Sequence, residues 1–72
     1  MTKQEKNTFV IKMVHHAFSV SFHKDNKERQ EKAISWFLAI ASLYEDLTND
    51  NETVHRICKE NRVEFLIDKY GL

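Results

Sequence analysis

From Phe9 to Phe22 the chain reads FVIKMVHHAFSVSF, and its apolar residues recur with a helical rather than an alternating period. At 100° per residue, Phe9, Val10, Ile11, Met13, Val14, Ala17, Phe18, Val20 and Phe22 fill one arc of roughly 220°. Lys12, His15, His16, Ser19 and His23 take the remainder, and Ser21 alone interrupts the apolar side. An ordinary surface helix carries an apolar stripe only somewhat wider than about 100°. The pattern predicts a helix over about 3–23 that packs on more than one neighbour.

The second apolar stretch is wider still. Ala33, Ile34, Trp36, Phe37, Leu38, Ala39, Ile40, Ala41, Leu43, Tyr44 and Leu47 surround most of a helix axis and leave a narrow polar strip of Glu28, Ser35, Ser42 and Asp46. This is the profile of a central helix over about 26–47. Its first turns, "NKERQEK", are charged on every side and can pair Glu28 with Lys32 and Lys27 with Glu31 at i,i+4 spacing. A third helix is expected over about 50–70. Val54, Ile57, Cys58 and Phe65 share one of its faces with Asn61 between them, whereas Val63, Leu66, Ile67 and Tyr70 fall on roughly the opposite face. Either this helix breaks near residues 59–62, or its second half is apolar on two sides. A short strand, "RVEFLI", is a third possibility, because Val63, Phe65 and Ile67 also alternate.

Two Asn/Asp-rich clusters, "HKDNK" and "TNDNE", separate these segments; such side chains compete with the backbone and favour turns and N-caps. Each expected helix start has capping-box spacing: Thr2 with Glu5, Asp25 with Glu28, and Asn49 with Glu52. The absence of proline and the single glycine, Gly71, argue for helices joined by short polar loops rather than for a turn-rich β domain.

Length changes what these faces mean. Seventy-two residues form one domain at most. A chain of that size buries only about 60% of its unfolded surface. Small folds commonly add disulfides, a metal or oligomerisation. The one cysteine, Cys58, cannot form an intrachain disulfide and fits a reducing, cytoplasmic setting. No signal-peptide pattern opens the chain. The longest uncharged run, Ala33 to Tyr44, is too short for a membrane helix, which needs about 20 residues. The apolar arcs exceed what three helices of one chain can cover, so the expected fold is all-α: a three-helix bundle, or a helical hairpin plus a C-terminal helix, completed by dimerisation. Contiguous exposed apolar patches mark interaction sites.

Charge is balanced, with 11 basic and 11 acidic residues, which weighs against a dedicated nucleic-acid binder. It is unevenly placed. Lys3, Lys6, Lys12 and Lys24 stand against Glu5 in the first 24 residues, while Glu45, Asp46, Asp50 and Glu52 cluster with no base among residues 45–52. These opposite regions could pair within a fold or between two copies.

The candidate chemistry is thin. Three of the four histidines lie between Val10 and His23, but His16 and His23 are i,i+7, about 10.5 Å apart along a helix, and His15 and His16 point roughly 100° apart. Chelation by two histidines of one helix wants i,i+4 spacing, so they read as residues of a solvent edge. Their charging near neutrality leaves a pH-sensitive interface as the minority reading. Cys58 is i,i+3 from His55 but lies on an apolar face and lacks an orienting third group. No catalytic residue, metal or cofactor is expected, and the chain does not read as an enzyme. Phe18, Phe22, Trp36, Phe37 and Tyr44 read as core rather than as base-stacking platforms. Asn61 could specify register, as a buried polar residue does in coiled coils, or mark a helix break.

The opening residues "MTKQEK" resemble the start of the Rop-type plasmid copy-number regulators, dimeric four-helix bundles that bind kissing RNA hairpins. Lys3 matches the first-turn lysine that contacts RNA in that family. Farther on, Val10, Val14, Phe18 and Asp25 stand where the family places asparagine, phenylalanine, glutamine and lysine, and the family's hairpin turn comes later than the first joint of this chain. The match covers six residues of generic helix-starting type and is set aside as coincidence, but it keeps RNA binding as an alternative.

The pattern therefore points to a small cytoplasmic interaction protein: a regulator, adaptor or inhibitor that occludes a macromolecular partner, of the kind phages and plasmids carry. It is expected to be a homodimer. The expected dimer or partner surfaces comprise Val63, Leu66, Ile67 and Tyr70, the helix 1 residues Phe9, Met13 and Val20, and the acidic joint of Glu45, Asp46, Asp50 and Glu52. The alternative is a small dimeric RNA- or DNA-binding regulator with Lys3, Lys6, Lys12, His16 and His23 on phosphates.

Overall fold

The computed structural model describes residues 1–72 and contains four helices and no strand: α1 (Lys3–Phe22), α2 (Lys27–Thr48), α3 (Asn51–Glu60) and α4 (Phe65–Tyr70). No helix is long and apolar enough to cross a membrane.

α1 begins at the predicted capping box. Glu5 N–H donates to Thr2 Oγ1 at 3.1 Å, and Thr2 N–H donates to Glu5 Oε1 at 2.9 Å. The other two starts sit one residue later than predicted. Asn26, not Asp25, caps α2 by accepting the Arg29 N–H at 3.1 Å. Asp50, not Asn49, caps α3 by accepting the Thr53 N–H at 3.1 Å. Asn49 instead ends α2 in the left-handed region at φ 58°, with its N–H on the Glu45 carbonyl. Asparagine tolerates that conformation better than most residues with a Cβ. The neighbouring carboxylate is thereby left to cap the next helix.

The third predicted helix is two helices. α3 stops at Glu60, and Arg62 takes φ 59°. Val63 N–H then bonds the Cys58 carbonyl and Arg62 N–H bonds the Lys59 carbonyl, the paired bonds of a Schellman motif. Asn61 adds a side-chain bond to the Ile57 carbonyl at 2.9 Å. This reversal resolves the two-faced pattern. Val54, Ile57 and Cys58 from α3 and Val63 and Leu66 from the next segment all turn into one core.

α1 and α2 run antiparallel. The Gln30 side-chain amide donates to the Val20 carbonyl at the joint, the rings of His16 and Trp36 stack midway, and Phe9 meets Tyr44 toward the far end. The core is wholly apolar: Met13, Ala17 and Val20 of α1 meet Ala33, Ile34, Phe37, Ala41 and Tyr44 of α2, with α3 and α4 closing one side. The chain end folds back on α3, where Asn51 Nδ2 donates to the Leu72 carbonyl at 2.8 Å and His55 Nε2 lies 2.7 Å from the same oxygen.

This packing leaves a good deal uncovered. The chain exposes 5168 Å². A compact monomer of 8.6 kDa exposes about 4,700 Å² on the usual scaling with mass.

Candidate interaction surface

α2 is apolar around most of its circumference, but its neighbours lie on one side only. Ala33, Phe37, Ala41 and Tyr44 take the covered side. About 100° farther round, Trp36, Leu43 and Leu47 are 53%, 51% and 56% exposed, with half-buried Ile40 in the same row. The spacing 36, 40, 43, 47 is the four-three-four interval of a helix-packing seam. A shallow groove of about 360 Å³ runs beside this row, lined by Trp36 and Ile40 of α2 and by Thr8, Phe9, Lys12 and His16 of α1. His16 lies flat on the Trp36 indole at 5.9 Å between centroids and 13° between planes. Burial there, together with the neighbouring charges of His15 and Lys12, lowers the His16 pKa from its ordinary value.

A second row lies on α1. Met13, Ala17 and Val20 face the core, and roughly 140° away Ile11, Val14, Phe18 and Phe22 face outward. Phe18 and Phe22 are 57% and 69% exposed, with ring centroids 5.8 Å apart. The expectation that Phe18, Phe22 and Trp36 belong to the core is therefore corrected, while Phe37 and Tyr44 are fully buried. Neither row was singled out from the sequence. The signal was present as arcs too wide for the chain, but a wheel does not say which part of a wide arc the rest of the chain will cover.

Several expected surface residues are internal. Met13, Val20, Val63 and Leu66 are at most 1% exposed and belong to the chain's own core, so they present nothing to a partner. The reversal at Arg62 is the reason for the last two. Phe9 and Ile67 are half-buried against that core, and Tyr70 is partly exposed with Lys69 Nζ 5.6 Å from its ring centre. Of the acidic joint, Asp46 and Glu52 are exposed, and Glu45 is half-buried with Oε1 lacking a hydrogen-bonding partner. Asp50 is engaged. It takes the Tyr44 hydroxyl at 2.7 Å, the Thr53 hydroxyl and the Thr53 N–H, with Lys6 Nζ at 3.8 Å. The Thr53 and Tyr44 hydroxyls lead in holding its carboxyl down to about 2.

The basic residues do not form one patch. Lys12, His16 and His23 share an edge of α1, but Lys3 lies about 180° round from Lys12, and Lys6 points toward Asp50. No group of three or more His, Cys, Asp or Glu side chains is placed to hold a metal ion. Cys58 is fully buried, and burial, with Glu64 and Glu45 nearby, pushes its thiol up to about 11. His55 turns to the Leu72 carbonyl rather than to this thiol. No family model, curated protein or solved structure matches the chain.

Proposed function

We propose that the chain is a small cytoplasmic protein–protein interaction module, a regulator, adaptor or inhibitor that acts by docking on a macromolecular partner and covering part of it. The observation that carries this reading is the pair of ordered apolar rows, Ile11–Val14–Phe18–Phe22 on α1 and Trp36–Ile40–Leu43–Leu47 on α2. Scattered exposed apolar residues are ordinary on any protein, but contiguous patches are characteristic of interaction sites. Aromatic side chains are also enriched in interface centres.

The experiment compares wild type with Phe18→Asp/Phe22→Asp as bait in a lysate of the source organism, with captured proteins identified by mass spectrometry. A stoichiometric partner held by wild type and lost from the folded variant supports the reading. Equal recovery on both baits, or general chaperones alone, refutes it. The nucleic-acid alternative draws only on the edge of Lys12, His16 and His23. Phosphate contacts would give affinity that falls steeply with salt. Retardation of RNA or DNA in low-salt gels, abolished by Lys12→Glu, would replace the protein-binding reading with this one.

A further inference from the structure

We propose that the groove between α1 and α2 docks an acidic amphipathic helix of a partner protein, whose apolar side chains cover Trp36 and Ile40 and whose carboxylates meet Lys12, Lys32 and Arg29. The inference rests on the interaction-module reading and names the chemistry of the partner.

The groove has an apolar floor and a cationic rim. Phe9, Trp36 and Ile40 line it, with Thr8, Lys12 and His16 on its α1 side. Leu43 and Leu47 continue the floor toward the C-terminal end of α2. In the other direction, exposed Arg29 stands on the line of the α2 row and exposed Lys32 within about 60° of it, so both carry the rim toward the α1–α2 joint. His23, on the same edge of α1 as Lys12, joins them there. Lys12, Arg29 and Lys32 are all unpaired, because the one ion pair of the chain joins Lys6 to Asp50. The carboxylates of α2 point elsewhere: Glu28, Glu31 and Asp46 are turned roughly 90° or more from the row. Glu5 alone shares the edge of Lys12, about 10.5 Å along α1, where it accepts the Thr2 N–H of the helix cap.

That charge distribution selects among occupants. An amphipathic helix laid in such a groove fills it with apolar side chains spaced three and four apart. A neutral segment on the same floor would desolvate Lys12 without supplying a counter-charge, a cost that an acidic flank removes. A basic segment would set like charges together. A phosphate backbone suits the cations but leaves Ile40, Leu43 and Leu47 without apolar contacts. From Arg29 to Leu47 the face is about 27 Å long, the length of a helix of about 18 residues. The carboxylates of that helix belong along the α1 edge and toward the α1–α2 joint, and its purely apolar end belongs over Leu43 and Leu47.

Trp36 is the only tryptophan of the chain, so its emission reports on the groove directly. The probes are two helix-forming peptides of about 18 residues without tryptophan or tyrosine. Both carry leucines at alternating four and three spacing, one flanked by glutamates and the other by lysines. The glutamate peptide is expected to shift the Trp36 emission saturably, and the lysine peptide to bind at least about tenfold more weakly. Lys12→Glu, and separately Arg29→Glu/Lys32→Glu, should weaken the glutamate peptide about tenfold and strengthen the lysine peptide, an exchange that a purely apolar contact would not produce. Phe18→Asp, on the other row, should leave both affinities unchanged, and circular dichroism confirms that each variant keeps its helices. Equal affinity for the two peptides, no binding of the glutamate peptide at millimolar concentration, or indifference to Lys12→Glu overturns the proposal. A Trp36 response to phosphatidylglycerol vesicles without one to the peptide would assign the groove to a lipid surface. Self-association lost in Leu43→Asp, without peptide binding, would assign it to a second copy; either result also overturns the proposal. Partner capture that depends on Phe18 and Phe22 would survive all of these results, so the failure of this inference and that of the interaction reading are separable.

Discussion

Asp50 ties the joint between α2 and α3, and its removal strands polar groups on both helices. Its carboxylate caps α3 through the Thr53 N–H and holds the hydroxyl of Tyr44, a fully buried residue. In Asp50→Ala the lost cap costs about 1 kcal/mol. The stranded Tyr44 hydroxyl adds about 1–3 kcal/mol, the usual desolvation penalty of a buried donor without a partner. The Lys6 contact at 3.8 Å joins two partly exposed groups and adds little. The expected loss is about 2–4 kcal/mol, against a total of about 4–11 kcal/mol for 72 residues. Tyr44→Phe removes the stranded group, so Tyr44→Phe/Asp50→Ala should be less destabilised than the two single losses summed, by about 1–2 kcal/mol. Urea denaturation of the four proteins followed by far-UV circular dichroism measures this coupling. All four are compared at one fixed protein concentration, because any self-association would make stability concentration-dependent. The native carboxyl titrates near 2, below its ordinary 3.8, so the unfolded chain binds the proton first. The Asp50 contribution is therefore present above about pH 4 and lost as pH falls toward 2. Asp50→Ala should lack that part of the acid slope. Additive single-mutant losses, or parallel acid slopes in wild type and Asp50→Ala, would refute the reasoning.

Arg62→Gly should raise stability by about 0.5–1 kcal/mol, or about 3–7 °C in melting temperature, because the left-handed cap at φ 59° strains a residue with a Cβ; an unchanged or lower melting temperature would count against the Schellman reversal. The Cys58 thiol should react with Ellman's reagent only slowly in the native protein, and rapidly in urea. Its native pKa is raised to about 11 from an ordinary 9.0, so its contribution to stability is present below pH 9 and is lost as pH rises toward 11. Cys58→Ala should be less sensitive over that window, and fast native labelling would contradict the burial. His16, whose pKa is lowered chiefly by burial, should titrate below 6.5 by NMR. The native state resists its protonation, so stability should fall as pH drops through 6.5, less steeply in His16→Gln; equal slopes would exclude the stacked site as the cause.

Periodicity made the helices legible, because apolar residues spaced three and four apart have no other economical reading in a chain without proline. The capping pairs were legible to within one residue. "DN" and "ND" each offer two adjacent oxygen-bearing side chains, and only backbone conformation decides which one caps. The reversal at Arg62 was visible only as a conflict between two faces, since arginine gives no hint that it will adopt a left-handed φ. Burial within a wide arc was less legible still. Phe37 and Trp36 are adjacent aromatics on the same helix, and one is fully buried while the other is more than half exposed. The difference is 100° of rotation relative to a neighbour whose position depends on the whole chain.

The two outward rows have different consequences because they lie on different helices. If both belonged to one continuous face, no single substitution could tell their roles apart. Here the α2 row borders the groove beside His16, whereas Ile11, Val14, Phe18 and Phe22 lie on the far flank of α1. A partner docked on one row therefore leaves the other open, and the two are separable by mutation. Phe18→Asp/Phe22→Asp removes the α1 row and Leu43→Asp interrupts the α2 row, each on exposed residues whose loss leaves the core intact. If docking uses one row, capture of a partner should fall with one substitution and survive the other. Equal loss with both would mean that the partner wraps the hairpin and touches both helices.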